Sequence, residues 1–320
     1  MIKTDSGLPR IVLVTRKTQL EVLRESRGTL DQVRFYLKSR GQREEEYVEA
    51  HERFQAGLSE VQRAIPPDWR RVRVDRDDLD RFLFAPEDLV VVVGQDGLVP
   101  NAAKYLSGQL AIGINPDPER YDGVLCQHPP RAMNVLLEWV VERQGPAFRI
   151  EHRVMALAER EDGQRLLALN EVFIGHQTHQ SARYRIQVGT GEERHSSSGV
   201  ICATGTGSTG WARSISQQIG LARQLPRPVE TRLAWFVREP FPSVSTQTGL
   251  RNGDLAQGES LTLFSEMGEG GVIFADGIEP DHLEFLSGHR VTVSIAPSTF
   301  NLVVQGKDVN ALRRGQGRRR

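Results

Sequence analysis

The sequence predicts an N-terminal α/β domain with an open, Rossmann-like sheet, followed by a β-rich C-terminal domain. Three observations predict it. The chain has 320 residues, more than one ordinary domain holds, so about two domains are expected. Residues 89–93 read Leu-Val-Val-Val-Val, end at Gly94, and lead through a helix-like stretch into a second apolar run at 110–114. Strand, loop, helix, strand is the unit of a parallel sheet buried on both faces. After about residue 148 the texture changes to many short apolar runs punctuated by Gly, Asp and Ser, the pattern of β-structure with turns. The expected boundaries are 1–127 for the α/β domain and 128–300 for the β-rich domain. The segment 301–320 is expected to return to the first domain and to end in a disordered basic tail (Arg313, Arg314 and Arg318 to Arg320).

Taken in order, residues 11–14 are β-branched and apolar, as in a first buried strand. From 17 to about 65 the chain is polar with Leu20, Leu23, Leu30, Val33 and Leu37 at helical spacing, and Pro66-Pro67 ends that helical stretch. Residues 69–75 alternate like a strand. A helix is expected over about 99–107 and a strand over 110–114. In the second half, strands are expected at 150–157, 166–174, 183–188, 200–203, 233–237, 261–264, 272–274 and 291–295.

Composition narrows the function classes. Lys+Arg and Asp+Glu both number 41, so no net field points to nucleic acid or a membrane surface. No run approaches the roughly 20 apolar residues that span a bilayer. Two cysteines, Cys126 and Cys202, make neither a disulfide framework nor a zinc cluster, and a reducing, cytoplasm-like compartment is expected. The acidic group Asp75, Asp77, Asp78 and Asp80 lacks the Gly and closing Glu of a calcium loop. His176 and His179 lack an acidic third ligand.

Four segments could carry chemistry. Gly94-Gln95-Asp96-Gly97 follows the valine strand, where open α/β sheets bind ligands. Its glycines let backbone approach phosphate oxygens, and Asp96 is positioned in sequence to accept a proton from an attacking hydroxyl. Asn170-Glu171 interrupts an apolar run. Asn offers a donor and an acceptor to a base edge, and Glu accepts from ribose hydroxyls. The stretch from Thr204 to Trp211, Thr-Gly-Thr-Gly-Ser-Thr-Gly-Trp, is a hydroxyl-rich glycine loop without the lysine of a P-loop. Asp276-Gly277 is a weaker candidate that also reads as a hairpin turn.

In this order, these segments resemble the NAD kinases, which carry a G-G-D-G-T loop, an N-E pair, a T-G-S-T-A-Y loop and a D-G. The counterparts are Gly94-Gln95-Asp96-Gly97-Leu98, Asn170-Glu171, Gly207-Ser208-Thr209-Gly210-Trp211 and Asp276-Gly277. GINPDPERYDGVLC at 113–126, ALNEVFIG at 168–175 and Ser181-Ala182-Arg183-Tyr184 are closest to the mitochondrial-type branch, with Trp211 in place of Tyr. The similarity is strong over about 88–215, thins around 271–290, and is only architectural before 88.

The resemblance implies an NAD kinase-like fold and the phosphorylation of NAD on the adenosine-ribose 2′-hydroxyl, with ATP as phosphoryl donor and Mg²⁺ arriving with it. It implies that Asp96 approaches that hydroxyl and that Asn170 and Glu171 hold the nucleoside. Ser208, Thr209, Gly210 and Trp211 would line the adenosine pocket, Asn115 would shape the cleft, and Gly94, Gln95 and Gly97 would form the phosphate loop, Gly97 also contacting NAD. Homodimers are expected, since relatives are generally oligomeric. Two departures stand out. Gln95 replaces a glycine, and Leu98 replaces a threonine. They keep open a catalytically weak NAD(P)-binding or sensing protein, for which Asp96 has no evident task. A diacylglycerol- or sphingoid-type lipid kinase shares the G-D-G-T loop, but the Asn-Glu pair and the 204–211 loop favour a dinucleotide.

Overall fold

A computed structural model describes residues 8–142, 145–221 and 224–306; the basic tail lies outside the described residues. The chain forms two compact units. The first comprises Met1–Ala102, Gln109–Glu151 and Asn301–Arg320, and the second Ala103–Gly108 and His152–Phe300.

In the first unit the elements are β1 (Ile11–Thr15), α1 (Gln19–Arg27), α2 (Leu30–Lys38), α3 (Glu44–Ala64), β2 (Arg71–Asp75), β3 (Leu89–Val93), α4 (Leu98–Ala103), β4 (Leu110–Ile114) and α5 (Met133–Glu142). The polar stretch after β1 is three helices rather than one. Thr18 and Thr29 each close a capping box, with Glu21 and Gln32, and start α1 and α2 afresh. The strands pair in parallel in the order β2-β1-β3-β4, and Asn301 to Val303 add a further parallel strand beside β4. β1, β3 and β4 are buried at every position, which is why their sequences are continuous apolar runs. Leu58 and Val61 of α3 pack with Met133, Leu136, Leu137 and Val140 of α5 on Leu13, Val91 and Ile112. The apolar face of α5 thus places it in the α/β core, and this unit runs on to Glu151 instead of ending near 127.

The second unit contains β6 (Arg165–Ala168), β7 (Glu171–His176), β8 (Ala182–Val188), β9 (Gly191–Ser197), β10 (Val200–Ala203), α6 (Trp211–Gln218), β11 (Arg232–Val237), β12 (Asn252–Ala256), β13 (Ser260–Ser265), β14 (Gly271–Ala275) and β15 (His282–Glu284), with most of β5 (Phe148–Arg160) and of β16 (Arg290–Gln305), whose outer ends belong to the first unit. β12-β11-β10-β7-β14-β15 form an antiparallel sheet. Its side chains alternate between two cores, as the pleat requires. Val172, Ile174, Val200, Cys202, Leu233 and Trp235 meet Tyr184, Leu261, Leu263 and Val291 of the facing strands. Phe173, Ile201, Ala203, Ala234 and Phe236 meet α6 through Ala212, with Trp211 packed alongside. β9 and β12 have no apolar run and were not anticipated; they are edge strands with polar faces. The expected single strand over 166–174 is broken at Leu169-Asn170, between β6 and β7.

Candidate active site

Strand order places the first candidate. The chain leaves β1 toward β2 on one side and leaves β3 toward β4 on the other, so β1 and β3 flank a topological switch point. Ligands in such sheets bind beyond the carboxyl ends of the strands at that point. There the structure holds a cavity of about 290 Å³ lined by Arg16, Lys17, Gly94, Gln95, Gly97 and Arg120, with Tyr47, Phe54 and Tyr121 as aromatic walls. Lys17 pairs with Glu25 at 2.8 Å and Asp117 with Arg53 at 2.9 Å. Arg16 and Arg120 make no ion pair or side-chain hydrogen bond among the described residues. The N–H groups of Gln95, Asp96 and Gly97 likewise meet no acceptor among the described residues. Unpaired backbone N–H groups and guanidinium groups are chemically suited to an anion, although Glu46 and Asp117 also line the cavity.

The same loop explains the two departures. Glu239 and Asp276 are the non-glycine residues with positive φ among those described, so Gln95 stands where any residue can, and its side chain is exposed. Leu98 is 4% exposed and packs against Gly94. A Cβ added at Gly97 would meet nothing within 4 Å, so the fold itself does not require that glycine.

Asp96 has a structural task that the sequence did not reveal. Its Oδ2 accepts the N–H of Val124 at 2.7 Å, and its Oδ1 accepts those of Leu125 and Cys126 at 2.9 and 2.8 Å. These donors belong to the returning loop 113–128. Asn115 organises that loop from within, donating from Nδ2 to the Tyr121 carbonyl (2.7 Å) and accepting the Asp117 N–H on Oδ1 (3.0 Å). Gly113 lets the loop cross closely over β4, since a Cβ there would collide with the Leu125 carbonyl. Asn115 therefore shapes the loop with its side chain.

The second unit gathers the remaining motifs around Asn170 and Glu171. Asp276 sits at φ +54 and Gly277 at φ +70, and Ile278 N–H donates to the Ala275 carbonyl at 3.1 Å. These values describe a type I′ turn. The Asp276 carboxylate is carried back onto the strand break, accepting N–H groups from Leu169 (2.9 Å), Asn170 (2.7 Å) and Glu171 (3.2 Å). Thr204 closes the other side, donating its hydroxyl to the Leu169 carbonyl and its N–H to the Asn170 carbonyl. The Asn170 and Glu171 side chains make no hydrogen bond among the described residues. Burial, and then the charge of Asp276, pushes the Glu171 carboxyl up to about 7. Burial also raises Asp276, to about 6, against the three N–H groups and the charge of Lys104.

In the 204–211 loop, the expected ligand hydroxyls are engaged by backbone. Ser208 donates to the Thr204 carbonyl at 3.0 Å and Thr209 to the Thr206 carbonyl at 3.3 Å. Gly207 is required by close approach, because a Cβ would collide with the Asn170 carbonyl. Trp211, after Gly210, stacks on Phe173 (centroids 5.9 Å, 10° between planes), with the Arg238 guanidinium 4.8 Å from its ring centre.

His176 accepts on Nδ1 from the Thr178 N–H, and Asp75 caps a single turn at Arg76–Asp78. No group of three or more His, Cys, Asp or Glu among the described residues could hold a metal ion. None of their helices is long and apolar enough to cross a membrane. Cys126 and Cys202 are buried free thiols, and burial pushes both up.

No protein-family model matches the chain. Among individual proteins, it is 27% identical over 257 residues to NAD kinase 2, mitochondrial, of Rattus norvegicus, covering 65% of this chain and 60% of the relative. It is 26% identical over 265 residues to the Homo sapiens protein of that name, covering 67% and 60%. An NAD kinase of Methanospirillum hungatei is 28% identical over 219 residues, covering 67% and 74%. The match thus spans about three-fifths of the mitochondrial relatives' length. Among solved structures, an NAD kinase from Archaeoglobus fulgidus in complex with ATP aligns at a TM-score of 0.55 and 18% identity, covering 96% of this chain and 97% of that one. Yeast NADH kinase complexed with NADH aligns at 0.53 and 16%, covering 98% and 88%. The chain has the fold of these kinases and is similar to NAD kinases in sequence.

Proposed function

We propose that this chain is an NAD kinase that transfers the terminal phosphoryl group of ATP to the adenosine-ribose 2′-hydroxyl of NAD, giving NADP. The observation that carries the reading is the cavity at the end of β3, lined by Gln95 and Gly97, whose N–H groups meet no acceptor among the described residues, and by two arginines without an ion pair among them. Phosphoryl transfer passes through a loose transition state, so positioning and charge neutralisation do most of the catalytic work. In this reading the Gln95, Asp96 and Gly97 N–H groups and Arg16 and Arg120 receive the donor's phosphates. A divalent cation such as Mg²⁺ would come with the donor and would supply charge neutralisation; the described residues offer no group of three or more His, Cys, Asp or Glu to hold it by themselves. Asn170 and Glu171 hold the nucleoside of NAD, and Trp211 supplies an aromatic surface for it. Asp96 is the proposed proton acceptor; its Oδ2 takes a single N–H and keeps capacity for a hydroxyl.

A coupled assay for NADP from NAD, ATP and Mg²⁺ tests the proposal. Turnover is expected, and its absence with ATP and with polyphosphate would overturn it. The same reading carries a homodimer and a reducing, cytoplasm-like compartment. Support for these comes from the edge strands β9 and β12, which leave backbone groups to be covered, and from two cysteines that remain free. Light scattering at micromolar concentration, expected to give twice the chain mass of 35.9 kDa, tests the dimer.

A further inference from the structure

We propose that Lys104, acting through Asp281, is a positioning residue for the nucleoside-holding pair Asn170 and Glu171; this rests on the role given to that pair above. The backbone of the pair is set by the Asp276 carboxylate, which holds three successive N–H groups at the break between β6 and β7. That carboxylate is presented from a turn whose two central residues both have positive φ. Positive φ is uncommon outside glycine, so an aspartate there needs surrounding structure to hold it.

The tie lies five residues on. Asp281 receives the Lys104 ammonium at 2.5 Å and the Tyr105 hydroxyl at 2.6 Å, both on Oδ2. Ala103–Gly108 belongs to the second unit, as Asp281 does. The Lys104 side chain is only 2% exposed. A buried ammonium is costly unless a counter-charge repays its lost hydration, and a methionine would fill the same space without that cost. What the methionine could not supply is positive charge. After the three N–H groups, the charge of Lys104 adds to what opposes the rise that burial imposes on Asp276. Lys104 thus both anchors the 276–281 turn through Asp281 and supports the anion that orders Asn170 and Glu171. It touches no proposed substrate group, which makes it a positioning residue.

The test is site-resolved amide hydrogen exchange together with NAD titration on the full chain, comparing wild type, Lys104→Met and Lys104→Gln. Exchange at Leu169, Asn170 and Glu171 is expected to accelerate at least tenfold, with little change in the β10–β11 pairing. NAD affinity is expected to fall about tenfold while the KM for ATP stays within about twofold. Unchanged exchange at the three amides in a folded variant would overturn the proposal, as would a uniform acceleration across the unit. Should both lysine variants fail to fold, Tyr105→Phe decides, since it removes one of the two donors on Asp281 and keeps the charge. The same three amides are then expected to loosen first, and their indifference overturns the proposal. If wild type takes up no NAD yet the amides respond to Lys104, the positioning stands and the nucleoside role of the pair falls.

Discussion

The Asp96 carboxylate accepts the backbone N–H of Cys126 at 2.8 Å, across 30 residues of chain. With Val124 and Leu125 as further donors, Asp96 holds the returning loop, a task beside the proton-accepting role proposed for it. Asp96→Asn keeps the side chain's shape but turns an NH₂ group toward N–H donors, so at least one of these bonds is lost. Turnover is expected to fall about 10²–10⁴-fold and stability by about 1–3 kcal/mol. Faster hydrogen exchange at 124–126 is expected to accompany both. A variant with wild-type turnover and melting temperature would refute both tasks.

Glu171 makes NAD affinity pH-dependent. Its carboxyl is raised from 4.5 to about 7 in the folded protein, so the stability it contributes is present below 4.5 and lost as pH rises through about 7. Ribose hydroxyls donate to the ionised form. NAD affinity is therefore expected to rise between pH 6 and 8, and binding near pH 7 to release a proton. Calorimetry in buffers of different ionisation enthalpy measures that proton, and Glu171→Gln is expected to abolish it. At pH 8 the same variant is expected to stabilise the ligand-free protein by on the order of 2 kcal/mol, because it removes a buried charge. A pH-independent wild-type affinity would count against the assignment.

Arg16 and Arg120 are expected to act on the donor alone. Arg16→Ala and Arg120→Ala should each raise the KM for ATP about tenfold, with the KM for NAD within about twofold. Lysine at either position should recover part of the loss, since it restores the charge without the planar fork. Steady-state kinetics at low salt check this, and unchanged ATP dependence in both variants would move the donor elsewhere.

Gln95 and Leu98 separate a working kinase from a drifted binder. Gln95 is exposed and has no positive φ, so Gln95→Gly is expected to leave activity within about threefold. Leu98 is buried, so Leu98→Thr should cost about 1–3 kcal/mol of stability by opening a gap and burying a hydroxyl. Undetectable wild-type activity, followed by substantial activity in the double variant, would show that these residues block the donor.

The sequence by itself determined the elements whose causes are local. The runs at 89–93 and 110–114 read as buried strands because both of their faces are covered, and the order Gly94–Gly97, Asn170-Glu171, 204–211 and Asp276-Gly277 was legible as a set. Not legible were α5 and the edge strands β9, β12 and β15, the strands having no apolar run to announce them. Only the tertiary structure decided how distant residues combine. Arg16 and Arg120 line one cavity because the strand order is β2-β1-β3-β4, and no local pattern encodes which strand lies beside which. The break at Asn170 exists because Asp276, 106 residues away, holds its N–H; periodicity alone reads straight through that position as one strand. Burial patterns and turn residues act over a few positions and so appear in the sequence. The partner of a buried carboxylate or ammonium is chosen by the packing of the whole chain, which is why Asp96, Asp276 and Lys104 disclosed their tasks only once it was folded.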